Sequence, residues 1–151
     1  MNKKDLLLKL LLIIFSLTII LNVRLVKIDG NSMKPTLTNG DIIFYSNNIK
    51  RINRFDIIIF SKNNEIFIKR VIGMPGDSIS YKKNTLYVNN IKVEEKYLKS
   101  ITEDFNFINI SKDKYFVIGD NRLYSYDSRN FGLVDKNEIK GKMFFKIKKF
   151  L

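Results

Sequence analysis

The feature that most limits the fold of this chain is an apolar run near its amino terminus. Leu6 to Val23 reads LLLKLLLIIFSLTIILNV, and Lys9 is the only charge inside it. As a helix, a run of this length rises about 27 Å, close to the roughly 30 Å hydrocarbon core of a bilayer. Lys9 can snorkel to the near interface, and Ser16 and Thr18 can bond back to helix carbonyls. A cleaved secretory signal is one rival and a buried core helix another. The run exceeds a usual signal core, however, and no small-residue cleavage site of the A-x-A kind follows, because the chain has no alanine. The expected organisation is therefore a short leading segment (1–5), a transmembrane anchor helix (6–23) and one folded domain (24–151). Charge does not set the orientation, since Lys3 and Lys4 precede the run while Arg24 and Lys27 follow it.

Beyond the run, helical periodicity gives way to short apolar stretches broken by turn signals. Strands are expected at Leu25–Ile28, Asp41–Ser46, Asp56–Phe60, Ile66–Ile72, Ser78–Tyr81, Thr85–Val88, Ile91–Val93, Lys114–Ile118 and Lys142–Ile147. Asn89-Asn90 suits a hairpin turn because asparagine tolerates positive φ. Met74-Pro75-Gly76-Asp77 suits a β-turn. Glu94 to Asn109 shows the least pattern and reads as a loop, and Lys136–Lys140 reads as a short turn. The fold class is mainly β: a twisted, partly closed antiparallel β-barrel following one amino-terminal transmembrane helix.

Composition narrows the chemistry. With 151 residues, no cysteine and no histidine, one domain must work without a disulfide, a thiolate or a Ser-His-Asp triad. Catalysis would have to run on serine, lysine, tyrosine or carboxylates. The net charge of +12 suits an anionic partner, but the lysines are spread along the chain without a dense basic block.

Three segments hold the candidate chemistry. In Gly30-Asn31-Ser32-Met33-Lys34-Pro35-Thr36-Leu37, a glycine and a proline bracket Ser32 and could aim its hydroxyl and N–H at one point. On its own the segment reads better as one holding an ordinary loop serine. In Glu65 to Gly73, Lys69 lies inside an apolar strand and shares a face with Phe67 and Val71. It is either an edge-strand lysine guarding against aggregation or a desolvated amine able to act as a base. Gly119 to Gly132 (GDNRLYSYDSRNFG) crowds Asp, Arg and Ser between glycines. It is either an ion-paired surface loop or the support of a site.

Without histidine a serine nucleophile needs another base, and lysine is the known substitute. In order and spacing, GNSMKPTL, GDIIF, KRVIGMPGD, GDNRLYSYDSRNFG and the closing GKMFF resemble the type I signal peptidases, the membrane-bound Ser-Lys proteases. The resemblance runs over nearly the whole chain. It implies Ser32 as nucleophile and Lys69 as general base, with Ser125 hydrogen-bonding the lysine amine. The Ser32 N–H would donate to the oxyanion. Some family members carry a hydroxyl two positions earlier, where this chain has Gly30 and so lacks that donor. The resemblance also implies Arg70–Asp120 and Asp127–Arg129 as supporting ion pairs, and Ile28, Met33, Leu37 and Ile68 as shallow pockets for small side chains.

The family implies no cofactor and no metal. Its partners are preprotein signal peptides and membrane lipid, with no nucleic acid, and the protein is expected as a monomer. Its place is the cell membrane, single-pass, with the catalytic domain extracytoplasmic. Two other readings stay open. One is a conjugation-type Ser-Lys peptidase dedicated to a single substrate. The other is a basic, anchored binding module for anionic lipid or single-stranded nucleic acid, with no catalysis. The self-cleaving SOS repressors share the chemistry but have no membrane anchor.

Overall fold

The computed structural model describes residues 2–149; the side chains of Phe15, Thr18, Ile19, Ile20 and Phe107 lie outside the description. The apolar run forms helix α1, Lys3–Asn22. Its described leucines, from Leu6 to Leu21, are more than half exposed. Among the described residues no helix is long and apolar enough to cross a membrane. The anchor expected over 6–23 includes Phe15, Thr18, Ile19 and Ile20, whose side chains are outside the described residues.

Among the described residues eleven strands follow: β1 Val23–Lys27, β2 Ile42–Ser46, β3 Ile57–Lys62, β4 Glu65–Gly73, β5 Ser78–Lys82, β6 Thr85–Val88, β7 Ile91–Val93, β8 Phe105–Asn109, β9 Lys114–Ile118, β10 Val134–Asp135 and β11 Ile139–Ile147. A short helix α2, Ser128–Phe131, lies between β9 and β10. The strands make a seven-stranded sheet, ordered β1-β2-β11-β3-β4-β9-β10, and a four-stranded sheet, ordered β7-β6-β5-β8. The paired strands run antiparallel.

This is mainly β as expected, but it is not a closed barrel. The larger sheet ends at β1 on one side and at the two-residue β10 on the other. Residues 78–109 leave it to form their own sheet. The departure is made at the Met74–Asp77 turn, where Asp77 Oδ2 accepts the Met74 N–H at 2.6 Å and the Gly76 N–H reaches Ile110 O at 2.8 Å. Asn89 and Asn90 adopt φ of 51° and 65°, as a tight hairpin between β6 and β7 requires.

Two strands, β8 and the two-residue β10, were not anticipated, and β11, expected from Lys142, starts earlier. β8 lies in the stretch read as loop, and its pairing Ile79↔Ile108 comes from β5, far away in sequence. β11 begins at Ile139, inside the stretch read as a turn, and spans both β3 and β2 through register shifts.

Three apolar clusters fill the fold. Ile28, Met33, Leu37, Ile43, Ile57 and Ile59 pack together at one end of the larger sheet. Ile58, Phe60, Val71 and Val117 pack on its opposite face. Ile72, Ile79, Tyr81, Phe116 and Ile118 join it to the smaller sheet. Side chains alternate across β3, so Ile57 and Ile59 feed one cluster while Ile58 and Phe60 feed another. Each fully buried Ile or Leu contributes about 1.5–3 kcal/mol of hydrophobic stabilisation.

Candidate active site

Ser32 sits in the turn that follows β1. Gly30 holds φ of 100° there and its N–H bonds Asn39 Oδ1 at 3.2 Å, which suits glycine. Met33 and Leu37 anchor the turn from below, at 2% and 0% exposure. On the other side Asn121 clamps it: its backbone N–H donates to Ser32 O at 3.0 Å and its Nδ2 to Asn31 O at 3.1 Å. Asn121 was not singled out in the sequence, although it is the third residue of the G-D-N motif.

Lys69 comes from the middle of β4, opposite Ile58 of β3. It shares the Phe67/Val71 face of the strand and is only 4% exposed. The aggregation-guard reading of this lysine therefore fails, since its amine is buried and turned to Ser32. Nζ donates to Ser32 Oγ at 2.9 Å and to Ile68 O at 3.1 Å. Among the described residues no carboxylate forms a salt bridge with it. Burial lowers its pKa from 10.5 to about 8, and the charge of Asp127 works against that fall. The structure thus joins the two residues that the sequence leaves far apart, as an amine near its titration point against a primary hydroxyl. Such a pair can deprotonate the hydroxyl and hand the proton on.

Ser125 does not behave as expected. It makes no hydrogen bond to Lys69; among the described residues its Oγ is a buried polar atom without any partner. It lies instead against Gly119. A Cβ built on Gly119 would stand 2.2 Å from Ser125 Oγ and 2.5 Å from Ser32 O, so only glycine lets these loop segments approach.

Beside the pair, Arg70 reaches Asp120 with two bonds, Nε to Oδ1 at 2.8 Å and Nη2 to Oδ2 at 2.6 Å. Thr36 bonds the same carboxylate, and the Arg70 guanidinium lies 3.8 Å from the centre of the Tyr97 ring. Asp127 accepts from Arg129 Nε and Nη2, both at 2.8 Å, from the Gly119 N–H at 3.0 Å, and caps α2. Thr36 and Tyr97 lay outside the sequence reading. Tyr97 gave no signal there, because the smaller sheet carries it to the site.

Arg122 extends this support into the smaller sheet. Its side chain is fully buried and pairs with Glu95 at 2.7 Å. It also donates to Tyr81 Oη at 2.8 Å, Thr102 Oγ1 at 2.6 Å and Gly119 O at 3.1 Å. Tyr81 and Tyr97 both donate to Glu95.

A cleft of about 520 Å³ opens over Ser32 and Lys69. One wall is the end of β1 with Ile28 and Asp29, and the other is β4 from Ile66 to Lys69; Tyr124 and Tyr126 stand at its mouth. Of the expected pocket residues, Ile28, Met33 and Ile68 line the cleft. Leu37 does not, being wholly buried in the cluster beneath it. Strand β9 pairs with β4 only from Arg70 to Gly73, so the preceding stretch keeps one edge free of strand partners among the described residues.

The family model described as "Signal peptidase, peptidase S26" matches residues 4–148. The chain belongs to the signal peptidase family, peptidase S26. Signal peptidase I V of Bacillus subtilis (strain 168) is 41% identical over 134 residues, covering 76% of this chain and 80% of the relative. Signal peptidase I of Bacillus caldolyticus is 44% identical over 138 residues, covering 79% and 76%. The crystal structure of a signal peptidase I from Enterococcus faecalis V583 superposes with a TM-score of 0.60 at 35% identity, over 64% of this chain and 99% of that one. The family is one of serine peptidases, which accords with a serine and no histidine at the centre of the cleft.

Proposed function

We propose that this chain is a membrane-anchored endopeptidase that removes amino-terminal signal peptides from exported preproteins, with Ser32 as nucleophile and Lys69 as general base. The observation that carries the reading is the 2.9 Å contact between Lys69 Nζ and Ser32 Oγ, made by a lysine whose pKa burial has lowered to about 8. Proteolysis by this route needs the neutral amine. When Lys69 is charged it donates to Ser32; once neutral, its lone pair accepts the Ser32 proton as Oγ attacks the scissile carbonyl.

The carbonyl oxygen then becomes an oxyanion, and the Ser32 N–H is its candidate donor. The protonated lysine next gives its proton to the leaving amine. A water, deprotonated by the same amine, attacks the ester and frees Ser32. The supporting ion pairs Arg70–Asp120 and Asp127–Arg129 hold the loops on which Gly119 and Asn121 meet the Ser32 turn.

The substrate would lie as an added strand in the cleft, on the free edge of β4 opposite the end of β1. Small side chains at the first and third positions before the cut would face Ile28, Met33 and Ile68. In this reading α1 is the anchor. The described residues alone do not make a span, so this reading counts the whole apolar run with Phe15, Thr18, Ile19 and Ile20, and it is supported by described leucines that are more than half exposed. The domain from residue 24 onward is then extracytoplasmic.

The test incubates detergent-solubilised protein with a labelled preprotein ending in an A-x-A signal, and sequences the product's new amino terminus. Wild type is expected to cut after A-x-A, and Ser32→Ala and Lys69→Ala to leave the preprotein whole. Cutting by Lys69→Ala would remove lysine from its assigned role. Intact preprotein after incubation with folded wild type would point to a dedicated substrate. Retention of full-length chain in carbonate-washed membranes checks the anchor.

A further inference from the structure

Beside the cleft lies a smaller hollow of about 210 Å³, lined by Lys62, Asn63, Glu65, Phe67, Tyr126 and Phe131. Small-molecule sites generally run about 300–1,000 Å³, so this space suits a single side chain. Phe67 and Tyr126 also line the cleft, and form a wall common to both hollows.

The hollow is an aromatic basket with a fixed frame. The Phe67 and Phe131 ring centroids are 5.6 Å apart, those of Tyr126 and Phe131 5.5 Å, and those of Phe67 and Tyr126 6.4 Å. Phe60, wholly buried, backs both phenylalanines. At the rim Lys62 Nζ is held by Leu133 O at 3.1 Å and Glu138 at 3.2 Å. Its charge is thus already answered, Glu65 in the lining disfavours an anion, and the aromatic walls favour an apolar guest. Asn63 and Asn64, with φ of 51° and 66°, fix the hairpin tip. Tyr126 is 59% exposed, so one side of the basket stands open toward the cleft.

We infer that this basket is a substrate subsite that takes a large apolar or aromatic side chain next to the scissile bond. The inference rests on the peptidase reading above. Strand alternation identifies the guest. Ile68 packs with Ile28 and Met33, whereas Phe67 packs with Phe60 and Val71, so the two occupy opposite faces of β4. A substrate strand that turns its small side chains toward Ile68 turns the alternate ones toward Phe67. Those are the residue between the two small ones and the first residue after the cut. A guest ring 4.5–7 Å from the basket rings gains contact energy beyond its buried area.

The test uses the full-length enzyme in detergent and preprotein peptides with alanine at the first and third positions before the cut. One series carries Ala, Leu, Phe or Asp at the second position before the cut, and another carries them at the first position after it. In wild type, Phe or Leu at one of these positions is expected to raise kcat/KM about 10-fold over Ala, and Asp is not. Tyr126→Ser and Phe131→Leu should each bring that ratio close to one, while Tyr126→Phe keeps it. A ratio taken within one enzyme cancels any change in folding or overall rate. Equal rates across both series in wild type would overturn the subsite alone. So would a preference that survives both Tyr126→Ser and Phe131→Leu. Failure of folded wild type to cut any peptide would remove the peptidase reading, and the subsite with it.

Discussion

Lys69 and Arg122 are both cations in the interior, at 4% and 3% exposure, and their pKa values move in opposite directions. Lys69 meets a hydroxyl and a carbonyl, so burial dominates and its pKa falls to about 8. Arg122 also suffers from burial. The oxygens of Tyr81 and Glu95 outweigh that cost, and its pKa rises above the ordinary arginine value. Equal burial therefore does not decide the direction of the shift; the partner does. The cleft withholds a carboxylate from its lysine and keeps it reactive, while the seam to the smaller sheet supplies one and keeps its arginine inert. Replacing each cation with methionine, close in length and uncharged, probes both halves of this contrast.

The largest effect is expected on catalysis. Lys69→Met removes the base, and kcat/KM for an A-x-A preprotein should fall by about 10⁴-fold. The wild-type profile sharpens the point. Activity needs the neutral amine, so kcat/KM should rise about tenfold per pH unit below pH 8 and level off above it. A rate that stayed constant from pH 6 to 9 would mean that the lysine is not the titrating base.

Stability should respond next, and with opposite signs. Arg122→Met leaves the Glu95 carboxylate buried without its cation. Denaturant unfolding in detergent should show a loss of about 3–5 kcal/mol. Lys69→Met should stabilise. The lysine's folded pKa of about 8 lies below its unfolded value of 10.5, so the unfolded chain binds the proton more tightly. The resulting cost is full below pH 8, shrinks as pH rises from 8 to 10.5, and vanishes above that window. The methionine variant should therefore gain up to about 3 kcal/mol at pH 7 and almost nothing at pH 11. Destabilisation by Lys69→Met at pH 7 would break the contrast.

The two halves were unequally legible in the sequence. Ser32, Lys69, Arg70, Asp120, Asp127 and Arg129 sit in compact boxes whose residue types are set by local turns and strand alternation, and the fold brings these boxes together. Leu37 was misplaced because a leucine one helical turn beyond Met33 can face either a pocket or a core; the Ile43 and Ile57 side chains behind it decide. Ser125 lies on the expected loop, but its Oγ packs beside Gly119 and makes no hydrogen bond to the lysine amine. The seam was invisible. Glu95, Tyr97 and Thr102 fall in the stretch with least pattern, and they gain meaning only once β8 pairs with β5 and folds that stretch over Arg122. The open sheet was missed for the same reason, because long-range pairing leaves no periodic mark.

Asn121 adjoins Arg122 but belongs to the cleft, so it tests whether the seam and the catalytic pair are separable. Its backbone N–H on Ser32 O would survive Asn121→Ala, and only the 3.1 Å bond from Nδ2 to Asn31 O would be lost. An exposed neutral hydrogen bond of this kind contributes about 1 kcal/mol, so kcat should fall roughly five-fold while KM holds. The bond positions the Ser32 turn and leaves the burial of Lys69 untouched, so the pH midpoint near 8 should not move. If it does move, the G-D-N loop also governs how dry the lysine is, and the cleft and the seam are one device. If kcat is unchanged, the backbone bond and the Met33 and Leu37 anchors suffice to aim Ser32, and the clamp lies wholly in the main chain.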